Sequence, residues 1–162
     1  MTPNRAFLEN LKLSRQITEG YLSDLTDADL FIRPVAGMNH IAWQLGHLIA
    51  AEHGMASAVG VAAPELPVGF ADAHSDATSK SDDRSRFCSK AQYVDLLNRV
   101  RAAVETHLEK VPPDQFDQPA PESMRAYAAT VGAVYALLAA HELMHAGQWV
   151  AVRRALGRAP LF

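Results

Sequence analysis

Four stretches of this chain carry apolar residues at every third or fourth position, and that period, which puts one buried face on a helix, constrains the fold more than any other feature. The first stretch holds Phe7, Leu8, Leu11, Ile17, Tyr21, Leu22 and Leu25. Thr2 caps it and Pro3 suits the first helical position, so a helix is predicted over 3–23. The run from Arg33 through Pro34 and Gly37 breaks the pattern. Asn39 then offers a cap for a second helix, over 40–59, bearing Ile41, Leu45, Leu48 and Ile49 and ending at Gly60. Ser89 caps a third, over 90–110, with Tyr93, Leu96, Leu97, Val100, Val104 and Leu108, closed by Pro112 and Pro113. The fourth follows Thr130 over 131–156 and ends at Arg153, Arg154, Gly157 and Pro160.

No stretch shows the strict alternation of a half-buried strand, so the expected fold class is all-α, a four-helix bundle. Residues 61–88 turn to Pro, Gly, Ser and Asp and read as a long connection. Fully extended, such a segment spans roughly 90 Å, against roughly 30 Å for a helix of about 20 residues. It is long enough to cross over and set helices two and three parallel. A second linker, 112–121, leads to 124–129, which reads equally as helix or extended chain. With 162 residues, 49% of them hydrophobic, one domain over 1–162 with a sizeable core is expected.

Net charge is -3 and the 15 Lys and Arg are scattered, so no basic stripe exists to neutralise phosphates, and no nucleic-acid partner is expected. The longest mostly apolar run, 131–140, is too short to cross a bilayer and meets His141 and Glu142, so no membrane partner is expected. The start of the chain lacks a continuous apolar segment of the secretory kind, and a cytoplasmic location is expected. The single cysteine, Cys88, has no activating neighbour and reads as a packing or loop residue.

The chemistry lies in the seven histidines. His141 and His145 stand four apart, so their rings project from one helical face on successive turns and can share one ion. The same stripe runs from Leu137 to Gln148 and Val152, which turns the pair toward the interior. A third ligand must come from upstream, because residues 146–162 contain no His, Asp or Glu. His74, in the long connection, and His107, beside Glu105 and Glu109, read as solvated, and His53 faces away from His47. His47 is favoured: its face carries Trp43, Ala50, Ala51 and Gly54, small enough for a helix and an ion to approach. His40 lies on that face two turns away, at a candidate pocket mouth.

His141-Glu142-Leu143-Met144-His145 also fits the HExxH pattern of zinc peptidases, where the Glu is the general base. The missing downstream ligand weighs against that chemistry, as does Ala151 where the extended pattern needs His. Glu142 also lies about 100° round the helix from His141. Glu142 therefore stands as a weak catalytic candidate, and Gln148 and His40 as weak pocket candidates. The one E-x-x-H pair, Glu142 with His145, is half of what a di-iron bundle requires.

The segments Asn39-His40-Ile41-Ala42-Trp43-Gln44-Leu45-Gly46-His47-Leu48 and His141-Glu142-Leu143-Met144-His145-Ala146-Gly147-Gln148 resemble the DinB/YfiT-like superfamily of metalloenzymes. The resemblance extends over nearly the whole chain. It implies a down-up-up-down bundle, a homodimer, and one zinc, nickel or iron ion held by His47, His141 and His145. It also implies a transferase using a low-molecular-weight thiol on a small-molecule substrate, since characterised relatives include thiol-dependent transferases and isomerases. Three neutral imidazoles leave a divalent ion its charge and open positions, the catalytic rather than the structural pattern. The alternatives are a metal-dependent hydrolase, with Glu142 or Glu52 taking the proton, and a non-enzymatic metal- or ligand-binding bundle.

Overall fold

The computed structural model describes residues 1–161. Among them it contains five α-helices and no strand: α1 (Pro3–Leu22), α2 (Ile41–Ala58), α3 (Phe70–Ala73), α4 (Lys90–Leu108) and α5 (Val131–Ala155). The four long helices follow the predicted spans to within a residue or two at each end. Thr2, Ser89 and Thr130 cap α1, α4 and α5 as expected, and Ser89 with Gln92 completes a capping box. The cap of α2 is His40 rather than Asn39. Its extended backbone and its Nδ1, which accepts the Trp43 N–H at 3.0 Å, do what a short polar side chain usually does.

The connection over 61–88 is ordered and closely tied to α2. It forms α3 and two short 3-10 turns, Asp76–Thr78 and Arg84–Arg86, and buries Phe70 and His74. The Trp43 indole donates to the Ser75 carbonyl at 3.0 Å, and Arg33 reaches the carbonyls of Ser79 and Ser81. The 112–130 linker carries 3-10 turns at Pro113–Asp117 and Glu122–Met124. At the far end α5 stops where Gly157 takes a positive φ of 69°. Leu161 then folds back until its Cδ1 lies 3.5 Å from where a Cβ on Gly20 would stand. Phe162 lies outside the described residues. No helix among the described residues is long and apolar enough to cross a membrane.

Helix α1 packs along α5, and α2 packs between α4 and α5. The apolar faces build two cores. One holds Leu8, Leu11, Val104, Leu108, Val134 and Leu138, and the other Leu22, Leu45, Ile49, Tyr93, Leu97 and Trp149. Each fully buried aliphatic or aromatic side chain contributes about 1.5–3 kcal/mol.

A polar layer separates the two cores along every long helix. It consists of Ser14 and Arg15 on α1, Glu52 on α2, Arg101 on α4 and Glu142 on α5, none more than 8% exposed. Arg101 bonds Glu52 at 2.6 Å and Glu142 at 2.8 Å, while Arg15 bonds Glu142 at 2.8 Å. Ser14 donates to Glu142 at 2.8 Å. Two guanidinium groups and two carboxylates thus cancel in charge, which is how such ions survive burial.

Candidate metal centre

His141 and His145 stand on successive turns of α5, and α2 brings His47 against them. Their ring centroids lie 4.9 Å apart in α5, and each is 5.2 Å from that of His47. One ring nitrogen from each can be chosen so that all lie within 4.8 Å of one another. Tetrahedral metal–nitrogen bonds of about 2.1 Å set their nitrogens about 3.4 Å apart, so side-chain shifts of up to about an ångström bring these atoms into range. No other group of three His, Cys, Asp or Glu among the described residues is so placed.

Position in the fold sets the charge state of the rings. His145 is 7% exposed, while His47 and His141 are half-buried. Burial, then the neighbouring His141 and His47, lowers His145 to about 3. Burial lowers His141 too, helped by His47, and lowers His47 against the opposing charge of Asp76. Three rings that stay neutral near pH 7 present lone pairs, which is what an imidazole ligand must do. The donor set suits a borderline divalent ion.

The surroundings orient two of the rings. Trp43 stacks on His47 with centroids 4.9 Å apart and planes 10° apart, and the Ser75 carbonyl holds its indole. The Gln44 side chain, fully buried, lies 3.0 Å from His145 Nδ1 and 2.9 Å from Trp149 Nε1. Sequence reasoning missed Gln44. The signal available was its place one turn before His47 on the face turned to α5.

Other expectations change. Gln148, expected on the inward stripe, is exposed; it stands one turn beyond Met144, itself 56% exposed, while Val152 of the same stripe is buried. His40, expected at a pocket mouth, is fully buried with both nitrogens engaged: Nδ1 caps α2 and Nε2–H donates to Ser81 at 3.0 Å. His74, expected in water, is 3% exposed, with Nδ1–H donating to the Phe70 carbonyl and Nε2 accepting from the Tyr93 hydroxyl, both at 2.7 Å. His53 and His107 are half-buried and stand outside the cluster.

Glu142 and Glu52, the carboxylates weighed as bases, belong to the polar layer. Burial pushes the Glu142 carboxyl up, but Arg101 and Arg15 outweigh it and hold it below the usual range. At the α5 end Arg153 pairs with Asp24 and the Tyr21 carbonyl, while Arg154 is exposed. Trp149 and Tyr135 are core residues. Cys88 is half-buried, and burial raises its thiol.

Residues 10–149 match the family model described as the DinB superfamily. A crystal structure of a conserved protein from Enterococcus faecalis superposes with a TM-score of 0.71, covering 98% of this chain and 99% of that one at 16% identity. At that identity the likeness concerns the fold. No curated protein matches the chain.

Proposed function

This chain belongs to the DinB superfamily, and from that premise we propose that it is a metal-dependent transferase that activates a low-molecular-weight thiol. His47, His141 and His145 are the ligands of a zinc, nickel or iron ion. The observation that carries this reading is the convergence of three neutral imidazoles, with no fourth His, Cys, Asp or Glu in the group. A bound divalent ion supplies Lewis acidity, so that a thiol or water in an open position is deprotonated near neutral pH.

The chain's own residues favour the thiol over water. Hydrolysis also calls for a side chain that passes a proton to the leaving group, yet Glu142 and Glu52 are each bonded to buried arginines. A thiol has a lower intrinsic pKa than water, so at the same ion its anion forms more readily. The thiolate sulfur then forms a bond to an electrophilic carbon as the leaving group departs with its electron pair. A cytoplasmic setting fits, since such thiols are kept reduced there. Trp43 keeps the His47 ring in place, and half-buried Leu137 stands one turn before His141 on α5.

The test is to incubate metal-loaded protein with biological thiols and a set of electrophiles. Turnover that requires a thiol and disappears in His145→Ala is expected. Turnover of esters or amides without thiol would move the assignment to a hydrolase, and no turnover with any thiol would leave a binding protein.

A further inference from the structure

Resting on the reading that the three histidines bind a metal, we propose that Gln44 is a positioning residue. It holds the His145 ring in the tautomer that carries its proton on Nδ1 and its lone pair on Nε2. The orientation of the Gln44 amide follows from two neighbours with no choice of role. The Trp149 indole N–H, 2.9 Å away, can only donate, so the atom facing it is the amide oxygen. The Asn39 carbonyl, 2.6 Å away, can only accept, so the atom facing it is the amide nitrogen. The reverse orientation would set two donors against each other at Trp149 and two carbonyl oxygens at Asn39.

The third contact is then determined. The oxygen already turned to Trp149 lies 3.0 Å from His145 Nδ1, and an oxygen acceptor there requires a proton on Nδ1. A neutral ring with Nδ1–H keeps its lone pair on Nε2. Gln44, Trp149 and the His145 side chain are all buried, so water does not compete for these bonds. Gln44 stands three residues before His47 and reaches across to α5, so one amide ties together both helices that carry the histidines. Outer partners of this kind fix ring orientation and commonly govern 10–100-fold in metal affinity.

Metal-free protein with 15N-labelled histidine, observed by NMR at neutral pH, reports the tautomer directly, and zinc competition titration reports affinity. Wild type should show His145 as the Nδ1–H form. Gln44→Met, of similar length but a poor acceptor, should lose dominance of that form and bind zinc 10–100-fold more weakly. Gln44→Glu keeps one oxygen toward His145 and Trp149, and its buried carboxyl, protonated, donates to the Asn39 carbonyl in place of the amide N–H, so it should retain the tautomer and stay within a few-fold of wild type. A merely structural glutamine would lower the melting temperature of Gln44→Met without altering the tautomer. The proposal is overturned if wild-type His145 carries its proton on Nε2, or if folded Gln44→Met keeps the Nδ1–H form and full affinity. A wild type that binds no zinc sinks the metal reading, while the tautomer measurement still decides the role of Gln44.

Discussion

The His74 ring lies so close to Gly46 that a Cβ at position 46 would stand 2.0 Å from its Cδ2. Gly46 immediately precedes His47, and the connection over 61–88 therefore docks on α2 beside the candidate metal centre. The His74 ring has little freedom to retreat, since the Phe70 carbonyl and the Tyr93 hydroxyl hold both nitrogens.

Gly46→Ala should therefore destabilise the protein by about 1–3 kcal/mol or more through overpacking. This outcome opposes the usual gain of up to about 1 kcal/mol when a glycine inside a helix becomes alanine. Gly54, in the same helix, has open space at its Cβ position. Gly54→Ala should show that gain. Urea denaturation of both variants checks the pair, and equal stabilisation of the two would contradict the close approach.

Removing one member of the buried polar layer should cost far more than any exposed ion pair. Glu142→Ala leaves Arg15 and Arg101 without one of their two carboxylates. A loss of about 3–5 kcal/mol is expected. Arg5→Ala, which breaks an exposed pair with Glu9, should cost at most about 0.5 kcal/mol. Thermal melts of the two variants separate these values. Comparable small losses would mean that the layer contributes little.

The helices were legible in the sequence from helical period, and the histidine cluster from that period together with the lack of a ligand after His145. His141 and His145 are neighbours by spacing, and the small residues around His47 marked the facing helix. Burial of His40 and His74 was not legible, because the tertiary course of the 61–88 segment brings Ser81 to His40 and carries His74 to Tyr93 on α4. The Gln44 bonds to α5 likewise join residues 101 and 105 positions apart. The polar layer did leave a trace. Arg15, Glu52, Arg101 and Glu142 each interrupt the apolar stripe of their own helix, and a charge on such a stripe implies a partner on another one.

Acid should destabilise the metal-free protein well before its carboxylates titrate. Burial is the leading cause that lowers His40, His47, His74, His141 and His145 from 6.5, and His145 falls to about 3. The unfolded chain therefore binds more protons than the folded one below pH 6.5. The stabilisation is complete above that pH and is lost as pH falls, for His145 through the range from 6.5 to about 3. Each such histidine contributes a slope of up to about 1.4 kcal/mol per pH unit. Denaturation at pH 8, 6.5 and 5.5 should show stability level above 6.5 and falling below it. Constant stability down to pH 5.5 would contradict burial of these rings in neutral form.

The most direct measurement is metal content. Protein purified without a histidine tag should carry, or take up on addition of zinc, nickel or iron, about one ion per chain by elemental analysis. His47→Ala and His141→Ala should fold with unchanged helix content and bind the ion at least 100-fold more weakly. A wild-type protein that holds no metal and binds none added, or variants that bind as tightly as wild type, would contradict the assignment of His47, His141 and His145 as the ligands.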